Sequence, residues 1–297
     1  MHKWYGMGKD IYEKFDAARN MYNKASKIMD IDIAKLCFES TEEELGRTDN
    51  TQIAILITSL AMLEVLKENN VKADIAAGLS LGEYTALIYS EKISLEDGLK
   101  LVKKRGEYMQ NLKPAGNWQM AAIMGLENNK VEEICDYINK NVGFVSPANY
   151  NYPGQIVVSG DEKAIEETIK EANEKGAKRA ILLNTNGPFH TNKLEKAKVE
   201  LAKELQTIEI KEGIIPVIKN IDGNPYKDED DVKEILARHM VSPVRFDKTI
   251  EYMLENGVDT FIEIGPGRTL TGFVKKVNKD VKTININDLE SLEKILN

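Results

Sequence analysis

The stretch Ala76-Ala77-Gly78-Leu79-Ser80-Leu81-Gly82-Glu83-Tyr84 constrains this chain more than any other. An apolar run over 73–77 leads into it, and a helical pattern over 80–89 leads out. Strand, glycine, serine, glycine, helix is the pattern of a nucleophile elbow, a tight turn that holds a serine hydroxyl clear of a sheet. Gly78 and Gly82 have no Cβ, so both are expected to let strand and helix approach and to permit strained backbone angles. The backbone N–H of Leu81 stands at the helix start, pointing where an oxyanion would form. The plainer reading is a glycine-flanked turn carrying a surface serine; the flanking strand and helix favour the nucleophile.

An elbow needs a sheet behind it, and the chain supplies alternating elements. Helices are expected over 7–29 and 51–68. The second, capped by Asn50 or Thr51, is apolar nearly all round and so buried against a sheet. Ser94-Leu95-Glu96-Asp97 reads as a helix start close to a capping box, for a helix over 94–112. Lys113-Pro114-Ala115-Gly116-Asn117 breaks the pattern. Beyond it come strands over 118–124, 143–148, 155–159 and 178–183, with helices over 128–141 and 161–175. That order is β-α-β-β-α-β, a ferredoxin-like unit. The αβ pattern then resumes, with strands over 214–220, 260–264 and 281–286 and helices over 191–205, 232–239, 246–256 and 270–276. The expected fold class is α/β. A large domain with a parallel sheet, residues 1–116 and 188–297, carries an inserted small ferredoxin-like (βαββαβ) domain, residues 117–187.

Charge and composition narrow the function. A formal net charge of −8 over 297 residues argues against generalised nucleic-acid binding, and an acidic partner would need a local basic patch. Two cysteines, Cys37 and Cys135, suggest no disulfide framework. Met1-His2-Lys3-Trp4-Tyr5 is no signal peptide, and no apolar run approaches the length of a membrane span. A soluble, cytoplasmic protein with no membrane partner is expected. Neither a metal nor a cofactor is expected either. Gly265-Pro266-Gly267 matches no phosphate-binding pattern and reads as a tight strand-to-helix turn.

A serine hydroxyl is a weak nucleophile and needs a base. The chain has three histidines. His2 is terminal and His239 lies in a helix tail. His190, in Asn186-Gly187-Pro188-Phe189-His190-Thr191, follows the last strand of the inserted unit, at a domain junction, and is the better candidate. Asp222, Asp259 or a backbone carbonyl could orient it, and spacing does not choose among them. Arg105, in Leu101-Val102-Lys103-Lys104-Arg105-Gly106-Glu107, reads by itself as a solvated charge on a helix. An acyl group with a free carboxylate would, however, need a planar bidentate cation.

With Ser80, Arg105 and His190 together, the chain resembles the malonyl-CoA:acyl-carrier-protein transacylase family, whose fold also serves as the acyltransferase domain of polyketide synthases. Gly6-Met7-Gly8-Lys9-Asp10 resembles the family's start, Asn50-Thr51-Gln52 its Thr-Gln before the buried helix, and Gly78 to Tyr84 its elbow. Arg105 follows Ser80 at the family's spacing. Ala148-Asn149 with Gln155-Ile156-Val157-Val158-Ser159-Gly160, Gly187-Pro188-Phe189-His190, Ser242-Pro243-Val244-Arg245-Phe246 and Glu263-Ile264-Gly265-Pro266-Gly267 resemble its remaining signatures. The resemblance covers nearly the whole chain and implies an α/β-hydrolase-like large domain. It implies a ping-pong transfer of malonyl from malonyl-CoA to the phosphopantetheine thiol of acyl carrier protein, in fatty-acid synthesis, by a monomer without a cofactor. Ser80 and His190 would be catalytic. Arg105, Leu81, Gln52, Phe189, Leu79 and Asn149 would bind substrate, with Arg105 on the malonyl carboxylate. A backbone carbonyl near His239, where the family usually has glutamine, would orient His190. Phe189 resembles malonyl-selective members.

Two departures qualify this. Leu79 replaces a histidine that lines the family's pocket. Family members also begin with a strand and Gly-Gln-Gly-x-Gln, whose glutamine supplies a second oxyanion N–H; Met1 to Tyr5 stand in their place. Losing such a donor typically costs about 2.7–4 kcal/mol, so the chain as written is expected to be impaired. The alternatives are an α/β serine hydrolase or thioesterase, which shares the elbow, and a non-catalytic, acyltransferase-like binder of carrier protein.

Overall fold

The computed structural model describes residues 6–185 and 187–296. Residues 1–5, on which the expectations about the N-terminus and His2 fall, lie outside the described residues. The chain packs as two units, one of Met1–Glu107, Thr207–Ile218 and Gly257–Asn297, the other of Tyr108–Gln206 and Lys219–Asn256. The βαββαβ segment lies inside the second unit, which extends beyond the expected segment 117–187.

The second unit holds a sheet of five strands: Trp118–Met124 (β1), Val145–Tyr152 (β2), Gln155–Asp161 (β3), Arg179–Leu182 (β4) and Val244–Arg245 (β5). Their order is β4-β1-β3-β2-β5. The first four are antiparallel, and β5 joins β2 in parallel. Side chains alternate along a strand, so β1 serves two cores. Ala121 and Ile123 bury with Ile134 and Ile138 of helix Asn128–Asn141 and Ile165 of helix Glu162–Glu174. Met120 and Ala122 face the other way, with Ala148, Val157 and the ring of Phe189. This is the ferredoxin-like arrangement, and its second face is what seats the residue before His190. The strand β5 was not expected, since two residues carry no period.

In the first unit, helix Thr48–Glu68 is buried on most sides, with Gln52, Ile53, Leu56, Ile57, Leu60 and Val65 all inside. It begins a turn earlier than the expected cap. Asn50 and Thr51 lie within it, and their side chains reach back to the preceding short helix, Glu42–Gly46, donating to the carbonyls of Glu44 and Leu45. Contrary to the sequence reading, it is long and apolar enough to cross a membrane, but 67% of the apolar window is buried inside the protein. The helix expected over 7–29 is two, Lys9–Lys14 and Asp16–Met29, separated by an extended Phe15. Asp16 then sits in the first turn of the second, where a carboxylate suits the helix dipole.

Parallel pairing in this unit joins Thr260–Ile264 (β6) to Lys282–Ile286 (β7). The runs over 73–77 and 214–220, expected as strands, meet only at a parallel bridge between Ala76 and Val217. The Ala76 N–H donates to Pro216 O at 2.9 Å and the Ile218 N–H to Ala76 O at 3.0 Å. Pro216 has no N–H to extend the ladder. The expected capping of helix Leu95–Asn111 is present: Ser94 Oγ accepts from Asp97 N at 3.1 Å and pairs with its carboxylate at 2.8 Å. Ser94→Ala is expected to cost about 1 kcal/mol, read as a lower urea midpoint at unchanged slope.

Candidate active site

The backbone at Ser80 has φ 55° and ψ −100°, a strained combination for a residue with a Cβ and one that clusters at functional sites. Ser80 precedes helix Leu81–Tyr89 yet makes no side-chain cap, so its hydroxyl is not committed to the helix end. The two glycines differ in what they contribute. A Cβ on Gly78 would lie 2.0 Å from the carbonyl carbon of Gly82, whereas a Cβ on Gly82 would meet nothing within 4 Å. The close approach therefore needs Gly78 alone, which corrects the expectation that both glycines are required sterically. Leu81 opens the helix, and its N–H is among those that a helix leaves without an internal partner. Leu79 and Leu81 are both half-buried.

Arg105, on helix Leu95–Asn111, is no solvated charge: it is 2% exposed. Its Nη2 donates to Ser80 Oγ at 2.9 Å and its Nη1 to Gln52 Oε1 at 2.6 Å. Its guanidinium also lies over the Tyr84 ring, 5.5 Å from the centroid. The hydroxyl, the carboxamide and the phenol ring are neutral partners, and the buried carboxylate of Glu83, next to Tyr84 in the chain, acts on the cation electrostatically. Burial pulls the Arg105 pKa down from its ordinary value, though a guanidinium remains protonated in proteins. Burial pushes the Tyr84 phenol up to about 12, which keeps it neutral. The arrangement is a pocket cation poised beside a nucleophile candidate.

His190 belongs to the other unit. It is buried at 3% exposure and has φ 58°. The loop before it is held at several points. Ser159 Oγ donates to Gly187 O at 3.3 Å, and Thr191 Oγ1 donates to Pro188 O at 2.7 Å. A Cβ on Gly187 would lie 2.4 Å from the Phe189 ring, so glycine there lets the ring fold back on its own loop. His190 Nδ1 is 3.1 Å from the carbonyl oxygen of His239, the last residue of helix Val232–His239. A carbonyl only accepts, so Nδ1 carries the proton and Nε2 keeps the basic lone pair. The two imidazoles also stack, with centroids 4.9 Å apart and planes 25° from parallel.

Neither carboxylate considered for orienting His190 is free for that work. Asp222 accepts from the Asn224 N–H and faces Lys219 at 3.4 Å, and Asp259 accepts from the Thr260 hydroxyl at 2.8 Å. Asn149 is 8% exposed on β2, between Val157 of β3 and Val244 of β5. In the Gly265-Pro266-Gly267 turn, Glu263 accepts from the Leu270 and Thr271 N–H groups at 2.9 and 2.7 Å. The start of helix Thr269–Val277 is therefore filled by the protein's own carboxylate.

Residues 2–292 match the family described as acyl transferase domain. The chain belongs to that family. This acyl transferase is 42% identical to the malonyl CoA-acyl carrier protein transacylase of Bacillus subtilis over 291 residues, 98% of this chain and 92% of the relative. The crystal structure of the Clostridium perfringens malonyl CoA-acyl carrier protein transacylase is similar, with a TM-score of 0.94 at 44% identity over 99% of this chain and 92% of that one. A malonyl-transacylase solved in complex with a type II polyketide-synthase acyl-carrier protein superposes with a TM-score of 0.93 at 35% identity, covering 98% and 94% of the two chains.

The acyl transferase's two units divide the candidate residues. Gln52, Leu79, Ser80, Leu81 and Arg105 fall in one, and Asn149, Phe189, His190 and His239 in the other. Sequence reasoning did not single out Tyr84 beside Arg105, nor Ser159 and Thr191 in the loop before His190. Tyr84 stands four residues after Ser80, one helical turn on, and that spacing is the signal that could have found it. Ser159 and Thr191 act through backbone carbonyls, which no spacing rule reveals.

Proposed function

We propose that this acyl transferase moves a malonyl group from malonyl-CoA to the phosphopantetheine thiol of acyl carrier protein, through a malonyl-Ser80 ester. Ser80 Oγ attacks the thioester carbonyl while its proton passes to His190 Nε2. The oxyanion that forms is met by the Leu81 N–H. The C–S bond breaks, and the leaving CoA thiolate takes the proton from His190. The carrier thiol then repeats the sequence in reverse: it gives its proton to His190, attacks the ester carbonyl, and Ser80 leaves as the hydroxyl. Arg105 holds the malonyl carboxylate throughout, assisted by Gln52, while Leu79, Phe189 and Asn149 line the acyl site. The protein acts as a cytoplasmic monomer without a cofactor.

One observation carries this reading: a buried arginine donates directly to Ser80 Oγ, at 2.9 Å, with its other terminal nitrogen on Gln52 Oε1. A hydrolase of uncharged esters has no use for it. The relatives named above, similar over nearly the full chain, are called malonyl transacylases and include one caught with a carrier protein. The test is intact-mass measurement after mixing with malonyl-CoA. The protein is expected to gain one malonyl unit on the peptide that contains Ser80 and to lose it when phosphopantetheinylated carrier protein is added. A protein that stays at its starting mass, or returns to it without carrier, overturns the reading.

Arg105→Ala is expected to lower kcat/KM for malonyl transfer by roughly 30- to 4000-fold, the scale of removing one partner of a buried charge pair worth about 2–5 kcal/mol. The loss with acetyl-CoA should be far smaller. Unchanged malonyl transfer would show that Arg105 has no such role.

A further inference from the structure

His239 meets His190 twice, and only one of the contacts is made by the backbone. The carbonyl fixes Nδ1 at 3.1 Å, and any residue at position 239 could supply it. The second contact belongs to the side chain, whose ring stacks on that of His190 at 4.9 Å and 25°. Both rings are buried, at 3% and 1% exposure, and His190 sits at a positive φ that its surroundings must hold in place. That hydrogen bond places one ring nitrogen; it does not by itself set the tilt of the ring plane. A flat ring laid against the face of the imidazole constrains that tilt directly.

We infer that the His239 side chain is a positioning residue for the base. It sets the plane of the His190 ring, and so the direction of the Nε2 lone pair. It also offers a π-face to the imidazolium that exists between proton uptake and proton return. The interaction needs an aromatic surface rather than a second titrating group: ring pairs of this kind, and cations over aromatic faces, are stabilised by the ring quadrupole. It rests on the proposed function, in which His190 gains and returns a proton at each half-reaction.

The experiment compares His239→Gln, His239→Ala and His239→Phe with the unaltered chain. All retain the backbone carbonyl; only phenylalanine retains a flat ring. Malonyl loading, carrier-dependent kcat and KM, and thermal melting are measured for each. His239→Gln and His239→Ala are expected to lower kcat about two- to tenfold with KM for malonyl-CoA unchanged. His239→Phe is expected to recover most of that loss. A merely structural role would move the melting temperature and leave kcat per folded molecule alone. Wild-type kcat in the glutamine variant overturns the inference, as does a phenylalanine variant no better than glutamine. If alanine does not fold, the glutamine and phenylalanine pair decides, because both fill the site. A wild-type chain that takes no malonyl would instead defeat the proposed function, so the two failures are distinguishable.

Discussion

Gly78→Ala is expected to destroy the elbow, while Gly82→Ala leaves it standing. The added methyl at 78 would meet the carbonyl carbon, oxygen and Cα of Gly82 at 2.0, 2.2 and 2.4 Å. All three are backbone atoms, so no side chain can swing away; the start of helix Leu81–Tyr89 must move instead. That helix buries Tyr84, Ala86, Leu87 and Ile88, so the displacement spreads into the core. A loss beyond about 4 kcal/mol is expected, at the rare end of single substitutions, together with loss of malonyl loading. Gly82 has open space at its Cβ position and lies within the helix, where alanine is intrinsically better by about 1 kcal/mol. Urea unfolding of the two variants side by side is the measurement. Equal stability would mean that the contact between the glycines does not govern the turn.

Ser80→Ala is expected to abolish the malonyl-enzyme and lower kcat on the order of 10⁶-fold, the scale seen when a catalytic serine is removed. The fold should survive. The hydroxyl caps no helix, and alanine inherits the same backbone angles without a new clash. Its main structural debt is to Arg105, which loses one acceptor. A melting curve near wild type, with no mass gain on malonyl-CoA, is the expected pair of results. Residual loading at another residue would relocate the nucleophile.

Local signals in the sequence were read well because local interactions set them. The elbow, strand Trp118–Met124, and helices Asn128–Asn141 and Val232–His239 all appear where periodicity and punctuation placed them. What residue spacing alone leaves open shares a cause in distance along the chain. By its neighbours in sequence alone Arg105 reads as a surface charge, because its partners, Gln52 and Ser80, lie 53 and 25 residues away; only the family resemblance places it in the pocket. The carbonyl that holds His190 comes from 49 residues further on, so spacing could not choose it over Asp222 or Asp259. Helix Thr48–Glu68 starts before its expected cap because Asn50 and Thr51 found carbonyls in the short helix Glu42–Gly46 rather than N–H groups in their own. Strands over 73–77 and 214–220 shrank to one bridge, since apolar character predicts burial but Pro216 withholds a donor.

The hydrogen bond from Arg105 to Ser80 has a consequence for how selectivity is expressed. At rest the guanidinium draws on a lone pair of the very oxygen that must attack, which blunts its reactivity. In the proposed reaction a carboxylated acyl group would offer that guanidinium a better acceptor, and the serine oxygen would be released as the substrate settles. An uncharged acyl group makes no such offer and leaves the oxygen engaged. Under the proposed function, discrimination is expected in turnover as well as in affinity: slow hydrolysis and slow transfer of short uncharged acyl groups would follow from the Arg105–Ser80 hydrogen bond acting as a safety catch on the nucleophile.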